Sequence, residues 1–134
     1  MSGARILVVD DDPDAAGLAA LMLRKAGYAA DSVGSGDEAL VCVAEAAFNL
    51  ILLDINMPGM DGWEVLRILK ADEATASIPV AMFSVRGEVR EKVHGMQEGA
   101  VDYITKPFSY AEITGRVAGI LRRGPRNVAG GAVT

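Results

Sequence analysis

The sequence predicts an α/β fold: a doubly wound, five-stranded parallel sheet of flavodoxin-like (βα)5 type. Short apolar or β-branched runs alternate five times with segments of helix length. Hydrophobic residues make up 51% of the chain and aromatic residues only 5%, a balance typical of layered α/β proteins with aliphatic cores. The length of 134 residues suits one domain. We expect this domain at 1–123 and a flexible tail or linker stub at 124–134.

The composition of each strand predicts its place in the sheet. The runs at 5–10, 49–54 and 79–84 are almost wholly apolar and indicate central strands. The runs at 28–33 and 101–105 are mixed and indicate edges. With the first strand central and the second at an edge, the strand order 2-1-3-4-5 follows.

Start and stop signals define the helices between the strands. Asp12 and Pro13 supply a cap and a first-turn proline for the first helix, which Gly27 closes. The fourth helix is predicted at about 87–98 and ends at Gly99, with one face carrying Val89, Val93 and Met96. Three other helix starts have capping-box spacing, a polar cap with glutamate three residues on: Ser35 to Glu38, Asp61 to Glu64 and Ser109 to Glu112.

Charge and cysteine content restrict the function classes. The net charge of -5 repels phosphate backbones and anionic lipid, so neither nucleic acid nor membrane is expected as a direct partner. Cys42 is the only cysteine, which excludes an intramolecular disulfide and favours a reducing cytoplasm. The N-terminus lacks the apolar stretch of a signal peptide. We therefore expect a cytoplasmic protein.

Polar residues end four of the predicted strands. Asp10 and Asp11 end the first strand, Asp54 the third and Ser84 the fourth, while Lys106 follows the fifth. The carboxyl ends of parallel strands share one edge of a sheet, and ligands bind there. We expect these five side chains to converge.

Three converging carboxylates require a cation. Two unit charges about 4 Å apart repel by about 1 kcal/mol in water and about 4 kcal/mol at an effective dielectric near 20. The donors are oxygens without cysteine or histidine, so Mg²⁺ is preferred over zinc or copper. Together, Mg²⁺ and Lys106 would neutralise the three carboxylates and leave metal positions open for phosphate oxygens.

Four stretches at the strand ends carry a family resemblance. They are ILVVDDDP, LLDINMPGMDG, PVAMFS and YITKPF. In this order they resemble the five signatures of the receiver domain of two-component response regulators, and the resemblance extends over residues 4 to 123.

The resemblance implies a phosphoacceptor signalling domain. Asp54 would accept a phosphoryl group from a histidine kinase or phosphotransfer protein in a Mg²⁺-dependent reaction. Asp11, Asp54 and the backbone carbonyl of Asn56 would bind Mg²⁺, with Asp10 acting mainly through water. The domain would catalyse its own phosphorylation and dephosphorylation without being an enzyme in the ordinary sense.

The resemblance also implies a switch. Lys106 would pair with the phosphoryl oxygens, and Ser84 would move to hydrogen-bond them. The ring of Tyr103 would then turn inward from the surface. We expect this movement to change the face of the fourth helix, fifth strand and fifth helix. That face would control a partner or output domain, or pair two copies, through Arg90, His94, Tyr103, Glu112 and Arg116.

One position departs from the family pattern. The residue after the switch hydroxyl is usually Ala or Gly, whereas here it is Val85. A β-branched side chain could narrow access to the phosphoryl site. We expect Val85, and Arg86 beside it, to modulate access.

Several residues near the site are predicted to be structural. Asp12 and Asp61 are better placed as helix caps than as metal ligands. Pro58-Gly59 fits a type II turn that orders the loop carrying Asn56. His94, the only histidine, is most simply a solvated surface residue. Met57 and Met60 are expected to pack, and Lys106-Pro107 resembles a family position with a cis bond.

Three other functions compete with this interpretation. A phosphatase of the haloacid dehalogenase type would need a second acid two residues after the nucleophile, where Asn56 stands. A nucleotide-binding module would need a glycine-rich loop in place of DDDPDAAG. A pseudo-receiver that acts only as a protein-interaction module is expected to lack Asp11, Asp54 or Lys106, but the sequence contains all three.

Overall fold

The computed structural model describes residues 3–85 and 89–123, and it describes residues 84 and 89–92 by their backbone alone. Strands and helices alternate five times, as predicted. Their bounds are β1 Arg5–Val9, α1 Pro13–Lys25, β2 Ala29–Val33, α2 Gly36–Glu45, β3 Leu50–Asp54, α3 Gly62–Ala71, β4 Val80–Ser84, α4 Val89–Glu98, β5 Asp102–Thr105 and α5 Tyr110–Arg123.

The five strands form one parallel sheet in the order β2-β1-β3-β4-β5. This confirms the predicted doubly wound topology. Asp54 pairs with Phe83 across β3 and β4, and Ser84 pairs with Thr105 across β4 and β5. The register therefore brings the carboxyl ends of these strands to one edge.

Aliphatic side chains fill two layers, one on each face of the sheet. Ile6 and Val8 belong to the layer beneath α1 and α5, whereas Leu7 and Val9 belong to the layer beneath α2 and α3. Every residue of β3 is buried, as expected for a central strand covered on both faces. Burial of this apolar surface is the main force that holds the helices on the sheet.

The predicted helix caps are present, with one difference. Asp61 and Glu64 form a complete capping box, and so do Ser109 and Glu112. At the third site, the Ser35 hydroxyl accepts from the Glu38 amide, but the Glu38 carboxylate accepts from Gly34. The reciprocal half of that box is therefore replaced by a 2.7 Å bond to the preceding residue.

Helix α4 departs from its predicted pattern. Val93 and Met96 are 50% and 56% exposed, so these members of the apolar face are directed mainly toward solvent. Gly95 is buried instead, against the ring of Tyr103. The helix ends before Gly99, whose φ of 109° is readily adopted only by glycine.

Candidate functional site

Three carboxylates meet at the carboxyl edge of the sheet. Asp10, Asp11 and Asp54 each offer an oxygen atom, and these three atoms lie within 4.8 Å of one another. Asp10 and Asp54 are only 2% and 5% exposed, whereas Asp11 is exposed. The convergence predicted from the strand ends is therefore present for all three acids.

Lys106 is directed into the same cluster from the segment after β5. Its Nζ lies 2.6 Å from Oδ2 of Asp10 and 3.5 Å from Oδ1 of Asp54. The ring of Phe83, which pairs with Asp54 in the sheet, lies 5.7 Å from the ammonium. The peptide bond between Lys106 and Pro107 is cis.

Both oxygens of Asp10 have partners within the protein. Oδ1 accepts a 3.0 Å hydrogen bond from the amide of Asp12, and Oδ2 accepts from Lys106. Asp12 also caps α1 by accepting from the amide of Asp14, as its predicted structural role requires. Asp10 is therefore held in place by hydrogen bonds to both of its oxygens.

The electrostatics of the site raise the pKa of Asp54. Burial and the neighbouring charge of Asp10 raise the pKa of this carboxyl from 3.8 to about 6, against the lowering effect of Lys106. Burial acts to lower the pKa of Lys106, but the hydrogen bond to Asp10 and the charge of Asp54 outweigh it and raise that pKa overall. A cation beside Asp54 would favour the ionised carboxylate against both its burial and the charge of Asp10.

The donor set fits a hard divalent cation. Each of the three acids provides a carboxylate oxygen, and Mg²⁺ prefers such ligands while keeping several waters. Asn56 is exposed in the loop between β3 and α3. Gly59 in this loop has a φ of 76°, the value that the third position of a type II turn requires, as predicted for Pro58-Gly59. The buried Met57 anchors the loop to the core.

The structure describes the remaining predicted site residues to different extents. The backbone of Ser84 ends β4 beside Thr105, but its side chain lies outside the description, and Arg86 lies outside the described residues. Val85 is 61% exposed. It lines an apolar depression of about 350 Å³ together with Leu18, Lys106, Pro107 and Phe108.

The position of Tyr103 differs from the one expected from the sequence. The sequence suggested a surface tyrosine that turns inward on phosphorylation, whereas its ring is only 5% exposed in this structure. The physical reason is Gly95, where an added Cβ would lie 2.5 Å from the tyrosine hydroxyl. Because glycine leaves that space empty, the tyrosine ring can occupy it.

Two contacts near the site were not anticipated from the sequence. An added Cβ at Gly62 would lie 2.3 Å from the carbonyl oxygen of Asp54, so only glycine lets α3 begin this close to the strand end. His94 is exposed, as predicted, but its ring meets that of Trp63 edge-on with centroids 4.3 Å apart. The glycine after a capping residue was a visible signal for the first contact, but nothing comparable marked the second.

Comparison with known proteins gives consistent matches. The sequence profile of the response regulator receiver domain matches residues 6–118. The transcriptional regulatory protein ResD of Bacillus subtilis is 44% identical over 119 residues, which cover 89% of this chain and 48% of ResD. The DNA-binding response regulator MtrA of Mycolicibacterium smegmatis is 41% identical, with coverage of 89% and 51% respectively.

A solved structure agrees with these matches. The receiver domain of the Francisella response regulator 1452 superimposes with a TM-score of 0.83 at 30% identity, covering 90% of this chain and 98% of that one. The chain spans about half the length of the curated relatives it matches. Within the described residues, no helix has the length and apolar character needed to cross a membrane.

Proposed function

Because the chain belongs to the response regulator receiver domain family, we propose that Asp54 accepts a phosphoryl group from a histidine kinase or phosphotransfer protein. The observation that carries this proposal is the meeting of three carboxylates with Lys106 at one sheet edge. Phosphoryl transfer depends mainly on positioning and charge neutralisation, and this cluster offers both.

The proposed transfer is an in-line exchange at phosphorus. An oxygen of the Asp54 carboxylate bonds to phosphorus while the bond from phosphorus to the donor's imidazole nitrogen breaks. The imidazole takes the electron pair, and Asp54 becomes an acyl phosphate. Lys106, 3.5 Å from Asp54, is placed to pair with the transferred oxygens.

Mg²⁺ is the proposed cofactor, held by Asp11, Asp54 and the backbone carbonyl of Asn56. When bound, it would neutralise charge on the phosphoryl oxygens. Asp10 holds Lys106 and is proposed to reach the cation through water. Deprotonated Asp54 is the nucleophile; with a pKa of about 6 it is mostly ionised at neutral pH, and a bound cation would extend its ionisation to lower pH.

The same site is proposed to release the phosphoryl group. Water would attack phosphorus, and the Asp54 carboxylate would leave with its electron pair, so the domain would catalyse both its phosphorylation and its dephosphorylation. Val85 is proposed to control access to this reaction because its exposed side chain lines the depression beside Lys106. Arg86 is proposed to share this role from its position in the sequence.

Signal output is proposed to pass through the face formed by α4, β5 and α5. Ser84 would hydrogen-bond the new phosphoryl oxygens, and Tyr103 would be held in its inward position. The face combines the exposed Val93 and Met96 with an ion pair of 2.7 Å between Arg116 and Asp102. Such a mixed surface suits a downstream partner, an output domain or a second copy of the chain.

Other features of the function are also proposals. We assign residues 1–123 to the receiver domain and 124–134 to a tail or linker, and we infer a cytoplasmic location from the single cysteine.

MtrA is named as DNA-binding, so the comparisons do not support the expectation that nucleic acid plays no direct part. No described feature favours a pseudo-receiver, because Asp11, Asp54 and Lys106 converge.

Intact-mass measurement tests the proposed acceptor. The chain is incubated with acetyl phosphate, with and without Mg²⁺, alongside Asp54→Asn. We expect a mass increase of one phosphoryl group in the native chain with Mg²⁺ only. The same increase in Asp54→Asn would reject Asp54 as the acceptor, and no increase in the native chain would favour a pseudo-receiver.

A further inference from the structure

Two consecutive residues of α4 each contact an aromatic ring from a different element. His94 meets Trp63 of α3 with an interplanar angle of 83°, a geometry in which the edge of one ring faces the π surface of the other. Gly95 lies against the ring of Tyr103 on β5. Helix α4 is therefore positioned by one ring from α3 and another from β5.

A second pair of side chains joins α3 and α4 one turn further along both helices. Nη1 of Arg67 lies 3.9 Å from Oε1 of Glu98. Both helices advance four residues between the two pairs, so α3 and α4 run side by side in matched register. We call the pairs Trp63–His94 and Arg67–Glu98 the α3–α4 seam. The ion pair is partly solvated and therefore contributes little, so the ring contact is its main part.

The first residue of α3, next to Trp63, is hydrogen-bonded to the segment that follows Asp54. The amide of Gly62 donates a 2.8 Å hydrogen bond to the carbonyl of Ile55, the residue after Asp54. The Gly62 backbone also packs so closely on the Asp54 carbonyl that an added Cβ would lie only 2.3 Å from its oxygen. Trp63 is the next residue along the chain, so displacement of the Asp54 backbone would displace its ring.

We propose that the α3–α4 seam transmits the state of Asp54 to α4 through Trp63 and His94. This proposal rests on the proposed function and deepens it, because it adds a route that does not pass through Ser84 and Tyr103. Trp63 and His94 act as positioning residues, since neither contacts the reacting atoms. The seam holds α4 where Tyr103 is accommodated inward, the position that phosphorylation is proposed to favour.

Linkage makes the proposal measurable at Asp54 itself. If the seam favours the phosphorylated arrangement, its loss must weaken binding of a phosphoryl mimic by the corresponding factor. An aromatic pair of this kind supports an effect of about 2- to 10-fold. Removal of the His94 ring should therefore reduce the affinity for beryllofluoride and reduce the response of α4.

The experiment is amide NMR of the full chain titrated with beryllofluoride and Mg²⁺. His94→Ala should bind about 2- to 10-fold more weakly and show smaller shifts in residues 89–98, while amides around Asp54 still respond. His94→Phe keeps an edge-on ring and should restore native behaviour. Gln97→Ala is a matched control, because Gln97 is exposed on the same helix.

The outcomes separate the seam from the proposed function. If His94→Ala keeps the native affinity and the native α4 shifts, the seam proposal is overturned and the proposed function stands. The same conclusion follows if His94→Phe behaves like His94→Ala. Failure of the native chain to bind beryllofluoride would reject both proposals. Fluorescence of Trp63, the only tryptophan, provides a test without any variant: its emission must change on beryllofluoride binding, and unchanged emission contradicts the seam.

Discussion

Lys106 donates a 2.6 Å hydrogen bond to Asp10, a residue 96 positions away in the chain. This contact is shorter than the 3.5 Å approach of the same ammonium to Asp54. The lysine is therefore held beside the proposed nucleophile by a neighbouring acid. One cation compensates two largely buried carboxylates, and this arrangement determines how the site responds to metal, protons and substitution.

Replacement of Lys106 by methionine should leave Mg²⁺ binding intact or make it tighter, because a positive charge is removed from beside the metal. Without Mg²⁺, the variant should lose about 1 to 3 kcal/mol of unfolding free energy, since Asp10 and Asp54 lose their buried partner. Urea unfolding across a Mg²⁺ series measures both effects. Lys25→Met, at an exposed position in α1, is the control. Weaker Mg²⁺ binding by folded Lys106→Met would refute this electrostatic account.

Asp54→Asn should stabilise the metal-free protein at pH 7.5 by about 1 to 2 kcal/mol. The pKa of Asp54 is raised from 3.8 to about 6, so the folded state binds more protons than the unfolded state between these pH values. The native free energy of unfolding should therefore fall as pH rises through this window, and the variant should lack that fall. Chemical unfolding at pH 4, 5, 6 and 7.5 measures it. Asp37→Asn, exposed on α2, should retain the native pH profile, and the same profile in Asp54→Asn would contradict the prediction.

Mg²⁺ affinity should increase with pH up to about the pKa of Asp54, near 6, and change little above it. The reason is that the cation and a proton compete for the same carboxylate. Below pH 6 the affinity should fall by up to about tenfold per pH unit. Titration followed by Trp63 emission or calorimetry at pH 5, 6, 7 and 8 measures the dependence. An affinity independent of pH from 5 to 7 would exclude Asp54 as a ligand.

Val85→Ala should accelerate loss of the phosphoryl group, because a smaller side chain opens the approach for water beside Lys106. The decay of the phosphorylated mass after removal of the phosphodonor gives the rate. Val93→Ala tests the same truncation at an exposed position on α4 and should decay like the native chain. Equal or slower decay in Val85→Ala would show that another residue, such as Arg86, controls access.

Much of the fold and site followed from local pattern. The apolar runs ending on Asp10 and Asp54 fixed both the strands and the sheet edge at which their carboxylates meet. The positions of the caps were also predictable, because capping uses short-range hydrogen bonds between residues such as Asp61 and Glu64. Strand order required only the contrast between central and edge strands.

The remaining features depend on contacts distant in sequence. The inward position of Tyr103 requires the space at Gly95, and periodicity within α4 does not reveal that pairing. The contact between Trp63 and His94 likewise depends on how two helices cross the sheet. The Lys106 ammonium lies about one ångström closer to Asp10 than to Asp54, and the position of each residue at a strand end does not predict so small a difference.

Chemical trapping of the phosphorylated residue tests the central claim most directly. Borohydride reduces an acyl phosphate to an alcohol and thereby converts a phosphorylated aspartate into homoserine. After treatment with acetyl phosphate and Mg²⁺, followed by borohydride and peptide sequencing by mass spectrometry, we predict homoserine at position 54. Its absence from samples without Mg²⁺ is expected as well. Homoserine at position 10 or 11 in place of 54, or at no position, would contradict the assignment of Asp54 as the phosphoacceptor.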